Sequence, residues 1–134
     1  MPEKIENILT QSPFIAQIFV YGDSLQSTLV AIIFPEKTIL EKWAESNGLS
    51  GPYDNIIGHE KTFKFLLDEI KSKCKEAGFF GFEIPTKIHL TTTMFTIEND
   101  LLTPTMKLKR NEAKHFFLDQ IRSMYDGAKL QGEE

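Results

Sequence analysis

The residues with the most chemical potential lie together, in Leu101-Leu102-Thr103-Pro104-Thr105-Met106-Lys107-Leu108-Lys109-Arg110. Hydroxyls and cations surround a proline there, just ahead of the last helical pattern. From Leu102 to His115 there are four Lys or Arg against one Glu, in a chain of formal net charge −4. Two readings stand side by side. One is a solvated basic loop entering a helix, the ordinary fate of a charge run. The other is a cationic finger, with lysines on a proline-stiffened loop projected toward a phosphate-bearing partner. Thr and Pro would restrict such a loop and reduce the entropy lost on ordering it.

Other candidates for chemistry are weaker. His59, His89 and His115 lack the i, i+4 or paired-cysteine spacing of a metal site, so no metal ligands are assigned. Each has an ordinary place: His59 in a turn, His89 in a strand, His115 on a helix. Cys74 falls on an apolar helix face without a histidine partner, which reads as a small buried core residue. Gly78-Phe79-Phe80-Gly81-Phe82 lacks the spacing of a phosphate loop and reads as a helix stop followed by core aromatics. Neither GxxxxGK[ST] nor GxGxxG occurs, so the familiar nucleotide-binding loops are missing from this sequence.

Composition narrows the classes further. The chain has 134 residues, 41% hydrophobic and 25% charged, with 11 Phe against three Tyr and one Trp. That suffices for one domain with its own core, and excludes disordered and low-complexity classes. The acidic balance argues against a general electrostatic grip on nucleic acid or anionic lipid. A single Cys allows no intramolecular disulfide and fits a reducing compartment. The sequence contains no membrane-length apolar run and no signal-peptide pattern at its start. The length is short for a self-contained ATP-using enzyme.

The elements that must position the basic segment follow from periodicity. Pro2, Glu3 and the Ile5, Ile8, Leu9 stripe predict a short first helix. Phe14 to Tyr21 and Thr28 to Phe34, separated by Gly22-Asp23-Ser24, predict an antiparallel hairpin with both faces at least partly covered. A helix is expected from Glu36 to Asn47, with turn-like sequence over Gly51 to Asn55. A longer helix spans Lys61 to Ala77, its face formed by Phe63, Leu66, Leu67, Ile70, Cys74 and Ala77, and Gly78 ends it. Lys87 to Thr91 predicts a strand and Met94 to Ile97 a further extended piece. The final helix begins near Asn111 as N-cap, with Ala113, Phe116, Phe117, Ile121 and Met124 as its stripe. The fold class is α+β: a small mixed sheet with an antiparallel hairpin, packed with about four helices.

These residues carry a resemblance. Phe95 to Arg110, FTIENDLLTPTMKLKR, resembles the closing motif of long-chain acyl-CoA synthetases in the adenylate-forming superfamily. Pro2-Glu3-Lys4-Ile5-Glu6-Asn7-Ile8 resembles the segment just after that family's interdomain hinge. Ala16-Gln17-Ile18-Phe19-Val20-Tyr21-Gly22, with Ser24-Leu25-Gln26, resembles its strand and turn, and Gly81-Phe82-Glu83 matches a further feature. The matches run in order over almost the whole chain.

The resemblance implies that residues 1–134 are the mobile C-terminal lid domain, excised from a parent whose large N-terminal domain, hinge and glycine loop facing CoA lie upstream. The parent would be an ATP-dependent long-chain fatty acid–CoA ligase. It would convert fatty acid and ATP to acyl-AMP and pyrophosphate, then pass the acyl group to CoA, with the lid rotating between the two steps. ATP, Mg2+ and CoA would be bound mainly outside this chain. Lys107, in a Lys-x-x-Arg context with Arg110, is the implied adenylation lysine, and Lys109 the alternative. Thr103 and Thr105 are candidate orienters of the loop; Lys109 and Arg110 are candidates for attracting phosphates. The implied partners are its own N-terminal domain, fatty acid, ATP and CoA, with neither nucleic acid nor a membrane anchor in this chain. The implied location is a cytoplasmic-side parent associated with endoplasmic reticulum or peroxisome, while the fragment is expected to be soluble and inactive alone. The competing reading is a non-catalytic α+β module that binds an acidic partner through residues 103–115.

Overall fold

The two Ile/Val-rich runs form the centre of the sheet, because successive apolar residues can be satisfied only when both faces are covered. The computed structural model describes residues 2–132. Strand β1 (Ile15–Gly22) pairs antiparallel with β2 (Leu29–Pro35), from Gly22 opposite Leu29 to Ile15 opposite Pro35. A bulge falls between Ile15 and Gln17. Strand β3 (Lys87–Leu90) joins β2 in parallel, Val30 opposite Lys87 through Ile33 opposite Leu90. The order β1-β2-β3 leaves β1 at an edge. The expected α+β class and mixed sheet are what the structure contains.

Alternation sorts the β2 side chains into two cores. Ala31 and Ile33 join Ile18, Val20 and Ile88 on one face; Val30 and Ile32 join Phe19 on the other. Ile32 and Ile33 are adjacent yet both fully buried, each contributing about 1.5–3 kcal/mol of apolar transfer. The first face is covered by α1 (Pro2–Leu9), α2 (Lys37–Ser46) and α4 (Glu60–Glu76), which bury Ile5, Leu40, Leu66 and Ile70 there. The second is covered by α5 (Arg110–Phe116) and α6 (Leu118–Met124), through Ala113, Phe117 and Ile121. A short helix, α3 (Tyr53–Ile57), links α2 to α4.

Six α-helices therefore occur among the described residues, where the periodicity predicts four. The turn-like stretch is α3, which starts after Pro52 and buries Ile56. The last pattern is two helices, because Phe117 leaves helical geometry at φ −101° and ψ 20°. That break puts Phe116 outside the stripe at 49% exposure. Helix α5 begins at Arg110 after Lys109, so Asn111 lies inside it and is not the cap. In α1 the buried positions are Ile5, Glu6 and Leu9 rather than the apolar triad with Ile8. In α4 the buried line is Thr62, Leu66, Ile70 and Cys74 at strict i, i+4 spacing, leaving Phe63 and Ala77 exposed. Gly78, at φ +89°, does end that helix. Only Phe79 of the following aromatics packs on the core; Phe80 precedes a 3-10 turn at Gly81–Glu83, Phe82 is its middle residue, and the two are 68% and 78% exposed. Among the described residues no helix is long and apolar enough to cross a membrane.

Candidate functional site

Thr103-Pro104-Thr105-Met106 is a tight turn because Pro104 fixes φ where a turn's second residue needs it. The Met106 N–H donates to the Thr103 carbonyl at 2.8 Å, and the Thr103 N–H to the Lys107 carbonyl at 2.8 Å. Leu102 and Leu108 then pair as an isolated antiparallel bridge. Residues 102–108 are thus a miniature hairpin. Met106 closes the turn at φ +67°, the left-handed conformation that such hairpins usually give to glycine. The Thr103 hydroxyl accepts from the Lys107 N–H at 3.1 Å and lies 3.1 Å from the Thr105 hydroxyl.

The three cations of the segment have different surroundings. Lys107 is exposed and its ammonium has no hydrogen-bond or ion-pair partner among the described residues. Lys109 is ion-paired with Asp100, whose hydrogen bond and charge raise the Lys109 pKa above its ordinary value. Arg110 is ion-paired with Glu6 of α1 and reaches the Val20 carbonyl at 3.4 Å. The Glu6 carboxylate also accepts the Val20 N–H at 2.7 Å. Burial pushes the Glu6 pKa up, against the downward pull of the Val20 N–H and Arg110, and the net direction is up.

The segment leading into the hairpin is held by Gln17. Its carboxamide donates to the Phe95 carbonyl at 3.0 Å and accepts the Phe95 N–H at 2.7 Å. That contact replaces strand pairing, so Met94 to Ile97, expected to be extended, forms no strand of the sheet. Phe95 itself is buried against Phe117. Beside Lys107 opens a cleft of about 630 Å³, walled by Glu3 and Asn7 of α1, Ala16 and Ile18 of β1, and Met106. The Val20 N–H turns outward to Glu6, and strand alternation gives Ile18 the same outward backbone polarity.

Glu6 is the member of this site that sequence reasoning missed. Its signal was an acid next to Ile5, on the apolar side of an otherwise amphipathic helix. The histidines are apart: His59 caps α4 by accepting the Lys61 N–H at Nδ1, His89 lies in β3 with its pKa lowered by burial, and His115 is exposed. Among the described residues no group of three or more His, Cys, Asp or Glu could hold a metal ion, so they offer no cage for magnesium.

No protein-family profile matches the chain. Fatty acyl-CoA synthetase B of Dictyostelium discoideum is 42% identical over 123 residues, 92% of this chain and 18% of that protein. Long-chain-fatty-acid–CoA ligase 6 of Homo sapiens is 40% identical over 124 residues, with the same two coverages. The chain is a homologue of part of the long-chain acyl-CoA synthetases. It spans 18% of the synthetases it matches first. The synthetase relationship extends to solved adenylation domains. That of the carboxylate reductase from Mycobacterium chelonae superposes with a TM-score of 0.76 at 31% identity, over 92% of this chain and 17% of that one. The adenylation domain of the Segniliparus rugosus enzyme, determined with AMP and a co-purified carboxylic acid, gives 0.76 at 27% identity, over 93% and 18%. The adenylate-forming superfamily therefore accounts for both the sequence and the fold.

Proposed function

We propose that this chain is the C-terminal lid domain of a long-chain fatty acid–CoA ligase and that Lys107 is its adenylation lysine. The observation that carries the reading is local. Of Lys107, Lys109 and Arg110, Lys107 alone has a side chain without an acidic partner among the described residues, and it sits on a hairpin closed by its own backbone bonds. The parent would join a fatty acid to ATP as acyl-AMP, releasing pyrophosphate, and then exchange AMP for the thiol of CoA. This domain would move between those half-reactions. The metal and most nucleotide contacts would come from the large N-terminal domain.

Lysine suits the role physically. Its ammonium is a compact charge with three donors on a long stem, so it can bridge the substrate carboxylate and a phosphate oxygen together. At about 4 Å and an effective dielectric near 20, one such attraction is on the order of 4 kcal/mol before desolvation. The part that strengthens as negative charge redistributes in the transition state accelerates the step. The Thr103 hydroxyl, bonded to the Lys107 N–H, would orient the backbone from which the lysine projects. Thr105, through its contact with Thr103, would assist it.

The reading is tested by expressing the full-length protein that carries this chain. It should catalyse fatty-acid-dependent exchange of pyrophosphate into ATP and form acyl-CoA, while residues 1–134 alone should do neither. Acyl-CoA synthesis by the isolated chain would contradict it, as would a full-length protein that activates no fatty acid. The parent is expected to associate with endoplasmic reticulum or peroxisomal membrane on the cytoplasmic side, which fractionation checks.

A further inference from the structure

The geometry around Arg110 assigns a role to a residue far away in sequence. Arg110 is the first residue of α5, three positions beyond Lys107. Its guanidinium is ion-paired with Glu6, whose side chain is only 11% exposed. Glu6 spends its second oxygen on the Val20 N–H at 2.7 Å, and Arg110 reaches the carbonyl of the same residue at 3.4 Å. Helix α1, the outer edge of β1 and the start of α5, just behind the hairpin, therefore meet at one four-group cluster. A buried carboxylate with both oxygens occupied has little freedom to move, and a guanidinium held by it is fixed in direction. Arg110 is thereby committed within the domain, whereas the Lys107 ammonium has no partner among the described residues.

We infer that Glu6 and Arg110 are a positioning pair, which sets the attitude of the Lys107 hairpin relative to α1 without either residue touching substrate. This rests on the reading of Lys107 as the adenylation lysine. Gln17 holds Phe95, in the segment that leads into the hairpin, so the chain is tied to β1 both ahead of the hairpin and behind it. Loosening the Glu6–Arg110 anchor leaves the lysine chemically intact but displaced. A displacement of about 1 Å is enough to cost on the order of a hundredfold in rate.

The test uses the full-length enzyme carrying Glu6→Gln, Arg110→Gln, Arg110→Lys or Lys107→Ala, with adenylation and thioester formation assayed separately. Glu6→Gln keeps an acceptor for the Val20 N–H but removes the charge that holds Arg110. Glu6→Gln and Arg110→Gln should lower kcat of adenylation by roughly ten- to a hundredfold. KM for ATP should stay within about twofold, because no substrate contact is lost. Thioester formation from supplied acyl-adenylate should be unchanged, and Arg110→Lys should recover part of the rate. Unchanged adenylation in Glu6→Gln, while Lys107→Ala is crippled, overturns the positioning pair alone. Equal loss in both half-reactions overturns it too, since that is the signature of general destabilisation. Normal adenylation in Lys107→Ala overturns instead the reading of Lys107. Should Glu6→Gln fail to fold, the Arg110→Lys and Arg110→Gln comparison decides: equal adenylation rates overturn the pair.

Discussion

Gln17 and Phe95, 78 positions apart, exchange two hydrogen bonds through one carboxamide: Nε2 donates to the Phe95 carbonyl at 3.0 Å and Oε1 accepts its N–H at 2.7 Å. The side chain does what a neighbouring strand would do for a buried backbone. Gln17→Leu would leave both groups of Phe95 unsatisfied, and such orphans cost about 1–3 kcal/mol each. We expect Gln17→Leu to destabilise the domain by roughly 2–4 kcal/mol in urea unfolding. The Phe95 amide should also lose hydrogen-exchange protection. A change below about 0.5 kcal/mol would show the clasp to be incidental.

Met106 occupies the left-handed region at φ +67° with a side chain 63% exposed. A non-glycine residue there costs about 1–2 kcal/mol, while glycine gives back part of that through unfolded-state entropy. Met106→Gly should therefore stabilise the chain by about 0.5–1 kcal/mol, and Met106→Ala should not. Equal effects of the two substitutions in thermal unfolding would remove the strain argument.

Asp23 is buried and accepts from Tyr21 Oη and from the N–H groups of Leu25 and Gln131. Burial raises its pKa, but the Tyr21 hydroxyl, the Gln131 and Leu25 N–H groups and Lys114 outweigh that, and the net direction is down. A depressed folded-state value gives stability that is complete above the unfolded aspartate pKa of about 3.9 and is lost as pH falls through the folded value. Asp23→Asn should cost about 1.5–3 kcal/mol at pH 7. The gap from the parent chain should be constant between pH 5 and 8 and close below pH 3.9. A gap that widens in acid would reverse the assignment.

Cys74 is fully buried, and burial pushes its thiol up to about 11. Only the thiolate reacts at useful rates. In native buffer at pH 8 the thiol should resist a disulfide-exchange reagent and become reactive only on unfolding. Rapid native labelling would place Cys74 in an open environment.

The outline of the fold was legible where periodicity is dense. The β1–β2 hairpin, α2, α4 and β3 emerge within a residue or two of their expected bounds, because Ile, Val and Leu repeat at strand or helix spacing. Local pattern failed where a distant partner decides. Nothing near Phe95 signals that Gln17 replaces a strand, and Phe117 breaks the last helix although its stripe continues. Phe80 and Phe82 are aromatic yet exposed, which composition assigns to the core. The Lys107 segment stood out by its charge and proline, but charge alone could not separate three neighbouring cations. Glu6 and Asp100 separate them, and neither is adjacent in sequence to the cation it holds.

The most direct measurement is of the two half-reactions in the full-length enzyme bearing Lys107→Ala. Losing roughly 3–4 kcal/mol of transition-state attraction would slow adenylation by about two to three orders of magnitude. Thioester formation from supplied acyl-adenylate should be largely spared. Normal adenylation, or an equal loss in both steps, would contradict the account.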